Sequence, residues 1–162
     1  MKKEIENKSL ELIYNESKDL LNKQLESYRN HHTKAGTIIG IITLFFPLFL
    51  FIIENASKMI KYLSLAPLIF FVWATYLMIQ ILRSRLLDQG ISPKEYDKLI
   101  NSDYNQALLF SIGINRDSFE ENQKITEKQN SRFNIGLILL LIGIGISIIL
   151  LFLNFYIQKP TT

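Results

Sequence analysis

The chain has 162 residues, 48% of them hydrophobic, with 18 Lys and Arg against 15 Asp and Glu for a net charge of +3. That length allows one domain and leaves little room for a separate catalytic module, and so small a positive charge does not argue for nucleic-acid binding. The absence of cysteine excludes disulfides, thiolate metal sites and a cysteine nucleophile.

The distribution of apolar residues says more than their number. Residues 35–53, 62–82 and 133–157 contain no Asp, Glu, Lys or Arg, so 65 of the 162 residues carry none of the ionic side chains. Three uncharged blocks of this length read as membrane-spanning helices, since a hydrocarbon core of about 30 Å needs roughly 20 helical residues. A soluble enzyme, a fibrous protein and a disordered chain are excluded as first readings. No short apolar leader with a small-residue cleavage site precedes Ala35, and the N-terminal segment is expected to stay in the mature protein.

In chain order, residues 1–34 form the first region, a cytoplasmic amphipathic helix. A helix is expected over 4–30, where Leu10, Ile13, Ser17, Leu20, Gln24 and Ser27 recur at three- and four-residue steps and Leu12, Tyr14, Leu21, Leu25 and Tyr28 widen the stripe. Such a helix packs on the central loop, lies on lipid or self-associates. His31-His32 are adjacent, about 100° apart on a helix, and so do not chelate one metal; they read as a cap on the first span. Region 35–82 is a hairpin of spans 35–53 and 62–82. Gly36, Gly40, Thr43 and Pro47 in its first span follow at steps of four, three and four, beginning with a GxxxG. Small residues let helix backbones approach closely, which favours association in lipid. Trp73, Tyr76 and Gln80 share a face of the second span.

Region 83–132 is a charged helical layer. Ser92-Pro93-Lys94-Glu95 and Ser118-Phe119-Glu120-Glu121 are both capping-box sequences. The first is expected to open a helix from about 93 to 111, with Tyr96, Ile100, Tyr104, Ala107 and Leu108 on its apolar face and Gly113 as its stop. The second is expected to start near Phe119 and run unbroken to Ile157, roughly 58 Å. The third span, 133–157, places Gly136, Gly143, Ser147 and Asn154 on one face; a tail of residues 158–162 follows. Segments 1–34 and 83–132 hold fifteen of the Lys and Arg residues and the remainder of the chain three. The N-terminus and the central region are therefore expected in the cytoplasm and the C-terminus outside.

Two roles stay open for Gly36, Gly40, Thr43, Gly136, Gly143, Ser147 and Asn154: packing within one three-helix protomer, or lining the interface or pore of a homo-oligomer. Three helices do not enclose a water-filled channel alone. With no Asp, Glu, Lys, Arg or His inside a span, a transporter-type ion site is not expected, and a pore through these helices would be narrow and apolar in its middle. No phosphate-binding, nucleophile-elbow or zinc-protease motif occurs, so neither catalysis nor a cofactor or metal is expected.

The order of these elements, with Tyr28-x-x-His31-His32-x-Lys34 ahead of a two-span hairpin and a charged helical segment behind it, resembles the SLATT group of small bacterial membrane effectors. The approach to the third span, from Asn122-Gln123-Lys124 through Glu127-Lys128-Gln129-Asn130 to Phe133-Asn134-Ile135-Gly136, resembles uncharacterised bacterial membrane proteins of similar size. That third span is one more than is usual in the SLATT group. The resemblance implies an effector of anti-phage defence in the bacterial inner membrane, paired with a nucleotidyltransferase as in Hailong systems, that perturbs the membrane by forming pores. The expectation is an all-α membrane protein that assembles with itself, a tetramer being favoured, and responds to a nucleotide or oligonucleotide made by that partner. Lys23, Arg29, Lys34, Arg83, Arg85, Arg116, Lys124, Lys128 and Arg132 are the candidate phosphate contacts, although Lys34, Arg83, Arg85 and Arg132 also suit plain positive-inside anchors. The alternative is a membrane adaptor that recruits a soluble partner without forming a pore.

Overall fold

The computed structural model describes residues 2–157, without the side chains of residues 2–6, 46, 48, 52, 53, 55 and 157; the expected tail 158–162, with Lys159, lies outside the described residues. Among the described residues there are helices and no strands. Helix α1 spans Lys2–Asn55, α2 Lys58–Leu63, α3 Leu65–Leu82, α4 Tyr96–Ile100 and α5 Tyr104–Ile157, and a short 3-10 helix at Pro93–Glu95 leads into α4. Three helical stretches, Asn7–Phe51, Lys58–Leu82 and Tyr104–Tyr156, are long and apolar enough to cross a membrane. The chain divides into two compact units. The polar unit is Met1–Asn30 with Arg85–Lys128, and the apolar unit is His31–Ser84 with Gln129–Thr162.

The core of the apolar unit follows from helical spacing. Ala35, Ile38, Ile42 and Phe49 of α1 pack with Phe71, Ala74, Met78 and Ile81 of α3 and Leu140 of α5. The α3 positions are three, four and three apart, which keeps one seam facing its neighbours along the helix. The Phe71 ring stacks on Phe45 at 5.5 Å and takes the edge of Phe49 at 5.4 Å. In lipid such contacts hold helices together by close packing rather than by removal of apolar surface from water. Pro47 lies inside α1, where its missing N–H deletes one bond of the helical ladder without ending the helix. At Ser64 the chain passes from α2 to α3. Its N–H donates to the Ile60 carbonyl at 2.9 Å and its hydroxyl to the Lys61 carbonyl at 2.7 Å, so the junction leaves few backbone groups unpaired.

In the polar unit Leu21 and Tyr28 of α1, Leu87 of the connection and Leu108 of α5 are buried. The inward register on α1 thus has Leu21 and Tyr28 buried and Tyr14 half-buried, while Ile13 and Leu20 of the expected stripe are exposed. Tyr28 fixes this rotation by donating its hydroxyl to the Arg85 carbonyl at 2.9 Å.

The central region departs from expectation in where its helices begin and end. The Ser92 capping box forms: the Ser92 N–H donates to Glu95 Oε2 at 2.9 Å and the Lys94 N–H to Ser92 Oγ at 3.4 Å. The helix it opens ends at Ile100, well short of residue 111. Asn101-Ser102-Asp103 breaks it because these side chains compete for the backbone. The Asn101 amide bonds the Asp97 carbonyl at 2.8 Å and the Ser102 hydroxyl bonds the Lys98 carbonyl at 2.5 Å. Helix α5 then starts at Tyr104 and passes through Gly113, which costs roughly 1 kcal/mol relative to alanine and is outweighed by the buried face on either side. Ser118 is accordingly not a cap; it is buried within the helix.

Candidate functional site

Along α5, every seventh residue from Leu108 to Leu150 is buried: Leu108, Asn115 and Asn122 in the polar unit, then Gln129, Gly136, Gly143 and Leu150 in the apolar unit. Three of these seven carry amides, and each amide is bound in its own unit. Asn115 Nδ2 donates to Ser17 Oγ at 3.1 Å. Asn122 Oδ1 accepts from the Asp88 N–H at 2.8 Å while its Nδ2 donates to the Asp88 carbonyl at 2.7 Å. Gln24 adds a bond from Nε2 to the Phe119 carbonyl at 3.1 Å. These contacts tie α1, the 85–92 connection and α5 together through side chains that satisfy backbone groups.

Gln129 is the corresponding node of the apolar unit and is only 1% exposed. Its Nε2 donates to Ser84 Oγ at 2.5 Å and lies 3.2 Å from His32 Nε2, which joins mid-helix positions of α1 and α5 to the residue two past the end of α3. The Ser84 hydroxyl in turn donates a hydrogen bond to the Ile81 carbonyl. The Gln129 carbonyl oxygen is buried without a hydrogen-bond partner. Burial, and then the neighbouring His31, push the His32 pKa below its ordinary value. A neutral ring with its Nε2 lone pair toward the amide donor fits that environment. His31 sets its ring edge-on to Phe133 at 5.5 Å. The sequence reading missed Asn115, Asn122 and Gln129. Their signal was available, because stepping back by sevens from Gly143 and Gly136 reaches all three.

The small residues divide sharply. A Cβ at Gly136 would run into Met78 Cε and approach the Leu77 Cβ at 3.6 Å; at Gly143 it would meet the Phe71 ring at 3.0 Å. Ser147 is buried and donates to the Gly143 carbonyl at 2.6 Å. Asn154 is 4% exposed with its carbonyl oxygen unpartnered. The third-span positions thus lie inside the protomer. By contrast, Gly36 and Gly40 are exposed, and a Cβ at either meets nothing within 4 Å. Thr43 is also exposed, its hydroxyl turned back to the Gly40 carbonyl at 2.6 Å. Thr43 also borders an apolar cleft of about 320 Å³ between α1 and α3, lined by Ile39, Ile42, Phe71, Thr75 and Tyr76.

The nine basic candidates fall in both units. Lys23, Arg29, Arg85, Arg116, Lys124 and Lys128 belong to the polar unit, and Lys34, Arg83 and Arg132 to the apolar one. Arg85 meets Glu121 at 3.4 Å and Arg116 meets its neighbour Asp117 at 2.9 Å. A phosphate at either arginine competes with a carboxylate already there. Among the described residues no group of three or more metal-ligating side chains is placed to hold an ion. Comparison of the chain with family models, with curated proteins and with solved structures finds no match.

Proposed function

We propose that the chain is an oligomeric effector of the bacterial inner membrane that forms a pore or ion channel in anti-phage defence, its polar unit lying in the cytoplasm and responding to a nucleotide or oligonucleotide cue. The observation that carries this reading is the open Gly36–Gly40–Thr43 face of α1. Within the apolar unit, Gly136 and Gly143 are met by neighbouring side chains, whereas among the described residues nothing stands within 4 Å of a Cβ at Gly36 or Gly40. A small-residue face left empty in lipid suits a second helix, and several copies joined this way enclose a path that one copy lacks. The resemblance to SLATT effectors supplies the defence setting and the nucleotide.

The test is conductance of purified protein in planar bilayers, together with its mass in detergent. The reading expects a closed ring, with a tetramer favoured, and discrete conductance; Gly40→Leu abolishes both. A monomer that carries no current overturns it. The adaptor reading has its own support: Leu12, Ile13 and Leu20 of α1 and Leu109 of α5 are exposed on the polar unit, beside a cleft of about 310 Å³ that Ile13, Leu20, Ile112 and Phe119 help to line. It expects a soluble protein to be held at the membrane with no conductance at all.

A further inference from the structure

The largest of the clefts described in the polar unit has a chemical character opposite to that of a phosphate site. It is an open groove of about 570 Å³ lined by Glu11 and Tyr14 of α1, Leu99 of α4 and Tyr104 and Leu108 of α5. That volume is in the range of small-molecule sites. Among the described residues lining it, Glu11 supplies the one formal charge, and no Lys, Arg or His contributes. The Tyr104 hydroxyl donates to Glu11 Oε1, which holds the phenol and the carboxylate side by side. That hydrogen bond is also the main reason the Tyr104 pKa is raised, so the phenol keeps its proton. A carboxylate has acceptor sites on both oxygens, and one phenol does not exhaust them. Tyr14 is half-buried in the wall, and its ring, like that of Tyr104, carries negative charge density on its face. Leu99 and Leu108 supply an apolar floor.

A carboxylate, two phenol rings and an aliphatic floor suit a ligand that is positively charged at one end and apolar at the other. An anionic ligand would meet Glu11 with no basic residue to offset it. Arg85 and Arg116, the arginines of the polar unit whose ion pairs are defined, do not line this cleft. We propose that the cleft binds a small organic cation, an amine or quaternary ammonium with an aromatic or aliphatic body. This site is separate from the nucleotide cue and does not depend on the pore reading.

The experiment uses the full chain in non-ionic detergent with 3-fluorotyrosine at its seven tyrosines, read by fluorine NMR. Tyr14→Phe and Tyr104→Phe assign the two resonances. Benzyltrimethylammonium is the probe, and benzenesulfonate is an anion of similar size. The expected result is saturable movement of both assigned resonances with the cation below about 10 mM, where affinities are weak but specific, and no movement with the sulfonate. Glu11→Gln, which keeps an acceptor for Tyr104, is expected to weaken binding at least tenfold. Glu16→Gln, on the same helix but outside this cleft, is expected to leave it unchanged. The proposal is overturned if neither resonance moves with the cation, if the sulfonate moves them equally, or if Glu11→Gln binds as the parent does. Should Glu11→Gln fail to fold, the cation and sulfonate titrations of the parent chain still decide, and Leu99→Lys, which sets a like charge in the lining, must remove the cation response. Conductance enters none of these readouts, so failure here is distinct from failure of the channel.

Discussion

Asn122 holds the Asp88 peptide with both ends of its amide, accepting the N–H at 2.8 Å and donating to the carbonyl at 2.7 Å. The side chain replaces, for this one residue, the two bonds that a regular element would have given a connection without one. Asn122 is 1% exposed, so neither bond is readily exchanged for water. Asn122→Leu therefore removes both bonds to the Asp88 backbone, at about 1 kcal/mol net each. The expected outcome is a lowered thermal midpoint in detergent and loss of hydrogen-exchange protection at the Asp88 amide. An unchanged midpoint would show that the clamp is dispensable.

The same connection contains Gly90, whose φ of 87° lies in the left-handed region. An added Cβ would stand 2.9 Å from Asn115 Oδ1 and 3.1 Å from Leu21 Cδ2. Gly90→Ala thus meets two costs, backbone strain of about 1–2 kcal/mol and displacement of the Asn115 side chain from Ser17. We expect Gly90→Ala to be destabilising by more than the backbone cost alone. In an Asn115→Ala background, which opens part of the space, the penalty should shrink toward that cost. Equal penalties in both backgrounds would mean that Asn115 does not feel the added carbon.

How far these relationships were legible in the sequence depends on the force behind each. The three apolar blocks were legible because a bilayer imposes a length and excludes charge, and both can be counted. The Ser92 capping box was legible because its two bonds are local. The end of α4 at Ile100, made by Asn101 and Ser102 turning back on the backbone, was not, and neither was the run of α5 through Gly113, a local stop signal that its buried face overrides. Nor was the choice of Leu21 over Leu20 as the buried residue, which rests on Tyr28 reaching the Arg85 carbonyl fifty-seven residues away. The division of the glycines was hidden for the same reason. Spacing groups Gly36 with Gly40 and Gly136 with Gly143, but only packing tells which pair already has a neighbour.

That division gives a paired prediction. Gly143→Leu drives a side chain into the Phe71 ring and, by overpacking, is expected to lower protomer stability by about 1–3 kcal/mol. Gly36→Leu projects where no described residue lies within 4 Å of the added Cβ and should leave stability within about 0.5 kcal/mol of the parent. If that face is where copies meet, Gly36→Leu should still reduce the mass of the detergent-solubilised assembly. Circular dichroism melts and mass photometry on the two variants separate the effects; a destabilised Gly36→Leu protomer would contradict the open face.

His32 gives the last prediction, in pH. Burial, and then His31, hold its pKa below the ordinary 6.5, so below that value the unfolded chain takes up a proton that the folded chain resists. The neutral ring's contribution is complete above about pH 6.5 and is lost as pH falls through the folded pKa. The direct consequence is geometric as well: a protonated Nε2 becomes a donor pointed at the Gln129 amide, 3.2 Å away in the orientation seen here. The buried, unpartnered Gln129 oxygen supplies an escape, since rotating the amide by half a turn presents an acceptor to the new proton and withdraws the donor from Ser84. Thermal midpoints measured from pH 8 to pH 5 should fall more steeply for the parent than for His32→Gln, which keeps an acceptor but does not titrate. Parallel curves would show that His32 protonation is not linked to folding, and that the node at Gln129 is held by Ser84 alone.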